Sequence, residues 1–229
     1  MFASCLGMAL ALGLLTLVGF GFLGSMMSSS SSGDEIKANS ILTIKLNGPV
    51  PEKTNNAAAN PYAFETDDIV GLMDMIKGIE RAKDDDDIKG IYIDTPIPSL
   101  NFASLAALRK AIEDFKESGK FVIAYADYYS ESGYYLASVA DKVYLNPVGQ
   151  VDFNGFVAQI PFFKEMLDKI GVKYEIFYAG DFKSATEPYR LNKMSDNNRK
   201  QTREYINDVY RNYLADLSAS RKITVSELR

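Results

Sequence analysis

Lys183 is the residue in this sequence that is best suited to acid–base chemistry. It lies in "YAGDFKSATEPYR", residues 178–190, in a mostly apolar neighbourhood where a lysine is costly to bury. Desolvation would lower the proton affinity of its amine, and a neutral amine can accept the proton of a serine hydroxyl. Because the chain contains no histidine, a general base near neutral pH must be another residue type. The residues alone leave a second interpretation open, in which Lys183 is a surface lysine paired with Glu187.

Two further stretches could contribute to a site: "DTPIPSLN", residues 94–101, and "YYSESGYYLAS", residues 128–138. Taken alone, the first is typical of a strand-to-helix turn and the second of a helix N-terminus rich in capping residues. The four consecutive aspartates at 84–87 indicate a solvated loop before a strand, because such side chains splay around a turn instead of converging on a metal. We predict neither a metal nor a cofactor.

Strands and helices alternate along the part of the chain that must position these residues. Strands are predicted at "ILTIKLN", "IKGIYID", "FVIAYA", "KVYLNP" and "KYEIFYA", with "VDFNGFVAQI" as a further extended segment. Helices are predicted after Thr66, at 102–117, around 134–140, at "FFKEMLDKI" and at about 196–220. The nearly continuous apolar run "FVIAYA" indicates a strand that is buried on both faces. The alternation predicts an α/β fold with mainly parallel strands.

The first residues differ from the rest of the chain. Residues 2–23 are apolar and uncharged, long enough to cross a membrane as one helix. A cleavable signal peptide is the alternative, but its apolar region would be shorter and "FLGSMM" is a poor cleavage site. We therefore predict a transmembrane anchor at 1–27, a flexible tether at 28–40, and one domain at 41–229 that is incomplete at its C-terminus. The net charge of −5 argues against nucleic acid as a partner, and a single cysteine, Cys5, allows no internal disulfide.

The order and spacing of these stretches resemble the signal peptide peptidase A family in its long, two-repeat form. The most specific matches are "GDFKSATEPY", "SGYYLASVADKVYLNPVGQVDFNGF" and "YLADLSASRKIT". The resemblance implies a ClpP/crotonase-like fold, here the first of two repeats. It also implies a membrane-anchored, homo-oligomeric Ser/Lys endopeptidase that degrades cleaved signal peptides on the extracytoplasmic side of the bacterial inner membrane.

The same resemblance assigns roles to individual residues. It makes Lys183 the general base and requires Glu187 to face away from it, since a carboxylate would hold the amine charged. It aligns Glu131 with the position of the nucleophilic serine, whereas Ser132 stands one residue later in the sequence. Pro96 and Pro98 replace a glycine-rich turn that would supply oxyanion donors, and proline has no N–H.

These departures predict that the nucleophilic serine lies in a second repeat beyond Arg229 and that this chain alone is inactive. Three alternatives stay open. The first is a self-contained Ser132/Lys183 peptidase, and the second is a non-catalytic membrane-anchored scaffold of the same fold. The third is acyl-CoA chemistry, which related folds support.

Overall fold

A computed structural model describes residues 36–46, 48–54 and 70–229. The predicted anchor, most of the tether and the predicted helix start at Thr66 lie outside these residues. Within them, none of the helices is both long and apolar enough to cross a membrane.

Four parallel strands form a sheet in the order β1-β2-β3-β4. They are β1 (Ser40–Ile44), β2 (Ile88–Ile93), β3 (Phe121–Tyr129) and β4 (Lys142–Val151). Each strand pairs with the next one along the chain, so the helices between them act as crossover connections. The prediction of an α/β fold with parallel strands is confirmed.

The helices in the described residues are α1 (Leu72–Asp84), α2 (Phe102–Lys116), α3 (Glu131–Ala137), α4 (Lys164–Lys169), α5 (Glu187–Arg190) and α6 (Asp196–Arg221), and a 3₁₀ turn spans Ser184–Thr186. Helix α2 begins where the Asn101 side chain accepts a hydrogen bond from Ser104 N, at 2.9 Å. It ends before Gly119, whose φ of +79° suits a residue without a Cβ. Its predicted bounds are therefore confirmed to within a residue.

Helix α6 is joined to the sheet domain by an aromatic cluster and by polar contacts. The cluster consists of rings that lie within 6.2 Å of a neighbouring ring: Phe102, Tyr135, Phe153, Phe156, Tyr210 and Tyr213. Arg109 of α2 is buried and donates hydrogen bonds to Ser138 Oγ (2.6 Å) and Ser220 Oγ (2.7 Å). The C-terminal half of α6 is thereby fixed against α2 and α3.

Several sequence predictions are wrong in detail. Residues 173–179, predicted as a strand, pair with no strand in the described part of the chain, and all of them except Ile176 are exposed. Strand β3 is not buried on both faces: Val122 and Ala124 are buried, whereas Phe121 and Tyr125 are each 39% exposed. Helix α3 begins at Glu131 and not near Tyr134, since Ser130 caps it.

Candidate active site

The carboxyl ends of three neighbouring strands place the candidate residues at one edge of the sheet. Residues 94–98 follow β2, helix α3 follows β3, and residues 152–155 follow β4. In a parallel sheet these ends lie together, which is where open α/β sheets usually hold their ligands. Two of the three stretches selected from the sequence therefore come together here.

The turn after β2 packs directly on the first turn of α3. Ser130 N and Ser130 Oγ both donate to Pro96 O, each at 3.1 Å, and Gly133 N donates to Ser130 Oγ at 3.1 Å. A Cβ on Gly133 would lie 2.0 Å from Pro96 O, so only glycine allows this approach. Ser132 Oγ lies 3.1 Å from Ser130 Oγ. Because the single hydroxyl proton of Ser130 is donated to Pro96 O, Ser132 is the donor in that pair.

Glu131 stands at the position that the resemblance gives to the serine, and one oxygen of its carboxylate accepts two backbone hydrogen bonds. Its Oε1 accepts hydrogen bonds from Asn154 N at 2.8 Å and Gly155 N at 2.6 Å. Gly155 has a φ of +83°, which turns its N–H toward the same oxygen as that of Asn154. The carboxylate thus occupies a pair of backbone donors at the point where a nucleophile would be expected.

The turn at Pro96 and Pro98 is held by structural contacts. Thr95 Oγ1 donates to Ile44 O at 3.0 Å and accepts from Leu46 N at 3.3 Å. Neither proline has an N–H to donate to a developing oxyanion. The turn is thus hydrogen-bonded to the end of β1 through Thr95, and it offers no N–H donor at the two proline positions.

Lys183 lies on the loop that precedes the 3₁₀ turn, and its side chain is exposed. The apolar residues around it in the sequence do not bury it within the described residues. Within residues 36–46, 48–54 and 70–229 its ammonium makes no hydrogen bond or ion pair, and it is therefore not bonded to Ser132 Oγ. Phe182, just before it, has a φ of +62°, an uncommon and strained conformation for a bulky residue.

Glu187, four residues after Lys183, faces away from it, as the sequence analysis required. It is only 4% exposed, and its carboxylate accepts from Ser195 N (3.1 Å), Ser195 Oγ (2.5 Å) and Asn198 Nδ2 (2.8 Å). Burial alone would raise the pKa of Glu187, but these hydrogen bonds outweigh it and hold the pKa below its ordinary value. The surface pair between Lys183 and Glu187 is not formed.

Sequence reasoning missed Ser195 and Asn198 as partners of Glu187. Ser195 is the N-cap of α6 and accepts from Asn198 N at 3.2 Å. The serine at the start of α6 was a visible capping signal in the sequence. The carboxylate of Glu187, eight residues before Ser195, is also stabilised near the positive N-terminal end of the helix. The sequence does not indicate that the carboxylate bonded to this helix start is Glu187, from the motif that contains Lys183.

Comparison with known proteins identifies a class of enzyme. The model of peptidase family S49 matches residues 114–229, slightly more than half of the chain, and this match includes Glu131, Lys183 and α6. The chain therefore belongs to peptidase family S49.

The curated relatives extend the similarity to most of the chain. Protease 4 of Haemophilus influenzae is 40% identical over 160 residues, which cover 67% of this chain and 25% of that protein. Protease 4 of Salmonella typhi is 34% identical over 223 residues, 93% of this chain and 36% of that protein. The chloroplastic serine protease SPPA of Arabidopsis thaliana is 22% identical over 183 residues, 80% of this chain and 26% of that protein. The chain thus spans between a quarter and about a third of the length of these relatives.

Proposed function

We propose that this chain is the base-carrying repeat of a Ser/Lys endopeptidase whose nucleophilic serine lies outside residues 40–229. One observation carries the proposal. The serine slot is filled by Glu131, whose carboxylate accepts from Asn154 N and Gly155 N, while Lys183 is left without a partner in the described residues. In the described residues, the chain therefore presents a base with no serine hydroxyl bonded to it.

The reaction follows from the chemistry of an amine base. The neutral Lys183 amine takes the proton of the serine hydroxyl while the serine oxygen attacks the peptide carbonyl carbon, and a tetrahedral intermediate forms. Its collapse breaks the C–N bond, the lysine ammonium returns the proton to the leaving amine, and an acyl-enzyme remains that water then hydrolyses. Because Lys183 is exposed here, the desolvation that favours its neutral form must come from the surface that brings the serine.

The wider setting belongs to the same proposal. The substrates are cleaved signal peptides, the enzyme is a homo-oligomer, and residues 1–27 anchor it so that the catalytic part lies on the extracytoplasmic side of the bacterial inner membrane. The apolar run at 2–23 and the similarity to bacterial relatives named Protease 4 support this setting. Mass analysis of the membrane-purified protein should find residues 2–23 still attached, and a mature N-terminus near residue 28 would contradict the anchor.

Labelling with a fluorophosphonate probe tests the location of the nucleophile. In the complete gene product, peptide mapping should find the label on a serine outside residues 40–229. A label on Ser132 would instead favour the self-contained dyad. Absence of both labelling and peptidase activity would favour the non-catalytic scaffold.

A further inference from the structure

The loop that carries Lys183 is fixed immediately before and after this residue. Before it, Gly180 and Phe182 adopt φ values of +82° and +62°. A phenylalanine rarely adopts this region, and it does so only where the surroundings over-determine the backbone. The backbone on the N-terminal side of Lys183 is therefore strained, and something must hold it.

After Lys183, the chain turns through the 3₁₀ turn and α5. Tyr189 stacks on Phe163 and Tyr174, with ring centroids 6.1 and 5.2 Å apart, and two hydrogen-bonded contacts also hold these turns. Pro188 O accepts from Phe163 N, the residue that precedes α4, at 2.7 Å. The Glu187 carboxylate accepts three hydrogen bonds from Ser195 and Asn198 at the start of α6. Of the two contacts, the one through Glu187 is buried, charged and made by a side chain, so substitution can remove it.

Helix α6 connects the Glu187 contact at its N-terminus to the sheet domain at its C-terminal half. From Asn198 to Leu214 it rises roughly 24 Å, at about 1.5 Å per residue. Leu214 and Leu217 are fully buried, and Tyr135 of α3 donates to Asp216 at 2.5 Å. One end of a rigid helix is thus packed beside the sheet edge, and the other end holds Glu187.

We propose that Glu187 is the positioning residue for Lys183: its carboxylate couples the Lys183 loop to the N-terminus of α6, and so sets where the amine stands relative to the sheet domain. This inference rests on the proposed role of Lys183 as general base. Glu187 contributes through geometry and not through its charge, because that charge is met by the donors of Ser195 and Asn198 and by Arg190, whose Nη2 lies 3.9 Å from Oε1.

The test compares three variants of the complete gene product on a signal-peptide-like substrate. Glu187→Ala should lower kcat by about 10- to 100-fold with little change in KM, since a misplacement of about 1 Å can cost that much. Glu187→Gln should restore most of the loss, because its amide oxygen can still accept from Ser195 N and Asn198 Nδ2. The matched control is Asp141→Ala, which also removes a carboxylate that accepts a backbone N–H (Val122, 2.8 Å) and pairs with a lysine (Lys116, 2.8 Å). It should lower stability while kcat stays unchanged.

The pH profile separates positioning from charge. If Glu187 acts only through geometry, Glu187→Gln leaves the pH at which kcat/KM rises where it is in the wild type. A shift of that limb to lower pH would mean that the carboxylate stabilises the Lys183 ammonium, and it would overturn the inference. Equal loss of kcat in Glu187→Ala and Asp141→Ala would also overturn it, by reducing Glu187 to a general structural role.

A fallback variant and a Lys183 control complete the experiment. If Glu187→Ala does not fold, Asn198→Ala removes one of the donors to the carboxylate and should give a smaller loss of kcat in the same direction. If Lys183→Ala retains full activity, the proposed function itself fails, and that result is distinct from a Glu187→Ala enzyme that stays active beside an inactive Lys183→Ala enzyme.

Discussion

The charged side chains of Glu131 and Lys183 differ in the hydrogen bonds that they make within the described residues. Glu131 accepts two backbone hydrogen bonds at the carboxyl edge of the sheet, where Gly133 permits contact with Pro96. Lys183 makes no polar contact in the described residues, although the backbone before it is strained and the turn after it is held. A group that is hydrogen-bonded within the fold stabilises it, whereas an exposed ammonium without a bonded protein partner is available for one.

The difference suggests that the two places have different roles. At Glu131, a carboxylate that accepts nearby N–H groups forms a structural contact. The other place, at Lys183, keeps a side chain that the fold itself does not use. Substitutions at the first place should therefore affect stability, and substitutions at Lys183 should affect activity.

The largest effect is expected at Lys183. In the complete gene product, Lys183→Met should lower kcat by roughly 10²- to 10⁴-fold, the usual contribution of a positioned general base, without loss of stability. Lys183→Arg should be equally inactive, because the guanidinium stays protonated at any working pH. Peptidase kinetics with circular dichroism measure both properties.

Two neighbouring lysines serve as controls for this prediction. Lys193→Ala and Lys200→Ala should keep wild-type turnover, since both residues are exposed and lie on more polar stretches. A folded Lys183→Met enzyme with near wild-type turnover would remove the base assignment and, with it, the contrast between the two places.

A large effect on stability is expected at Gly133. The added Cβ of Gly133→Ala would lie 2.0 Å from Pro96 O, so the turn or the helix must shift, at a cost of about 1–3 kcal/mol. Gly78→Ala is the matched control, because a Cβ there meets nothing within 4 Å in the middle of α1. It should raise stability by about 0.5–1 kcal/mol. Urea unfolding of both variants would show whether the contact is as tight as described.

A smaller effect is expected at Glu131. Glu131→Gln keeps an oxygen that can accept from Asn154 N and Gly155 N but loses the charge, so we expect a loss of about 1 kcal/mol. Turnover in the complete gene product should not change. A Glu131→Gln enzyme that unfolds normally but loses turnover would show that this slot takes part in catalysis, and the two places would no longer differ.

Periodicity in the sequence predicts the elements whose own residues bury a face. The bounds of α2 and α6 follow from apolar spacing together with Asn101, Gly119 and Ser195, all of which act locally. The same pattern misleads where the packing partner is not local. Residues 173–179 have strand-like composition but no neighbouring strand in the described residues. Tyr205 lies about two helical turns before the buried Tyr213 on α6, yet it is 70% exposed.

The candidate site was predictable to a similar extent. The motifs select Glu131 and Lys183 as candidate site residues. The expectation that Glu187 faces away from Lys183, which followed from the need for a neutral amine, is confirmed. The backbone donors to Glu131 and the contact of Glu187 with the start of α6 depend on loop conformations at Gly155 and Ser195. Such conformations leave little trace in composition or spacing.

The smallest effect is expected at Tyr213, whose hydroxyl is buried in the core, unlike the exposed ammonium of Lys183. Its ring packs among Phe102, Tyr135 and Phe156, the residue is 2% exposed, and its hydroxyl has no hydrogen-bond partner in the part of the chain that the structure describes. Burial, followed by the nearby charge of Glu131, raises the pKa of Tyr213, so the hydroxyl stays neutral. Tyr213→Phe removes a group whose desolvation nothing in the described fold offsets.

Stability should therefore change by less than about 0.5 kcal/mol, or rise, when Tyr213 is replaced by phenylalanine. Tyr135→Phe is the matched control, because its hydroxyl donates to the Asp216 carboxylate at 2.5 Å. Loss of a hydrogen bond to a charged group should cost about 1.5–3 kcal/mol. Urea unfolding of the two variants gives the difference directly. If Tyr213→Phe costs as much as Tyr135→Phe, the Tyr213 hydroxyl has a partner outside the described residues, as proposed for the Lys183 amine.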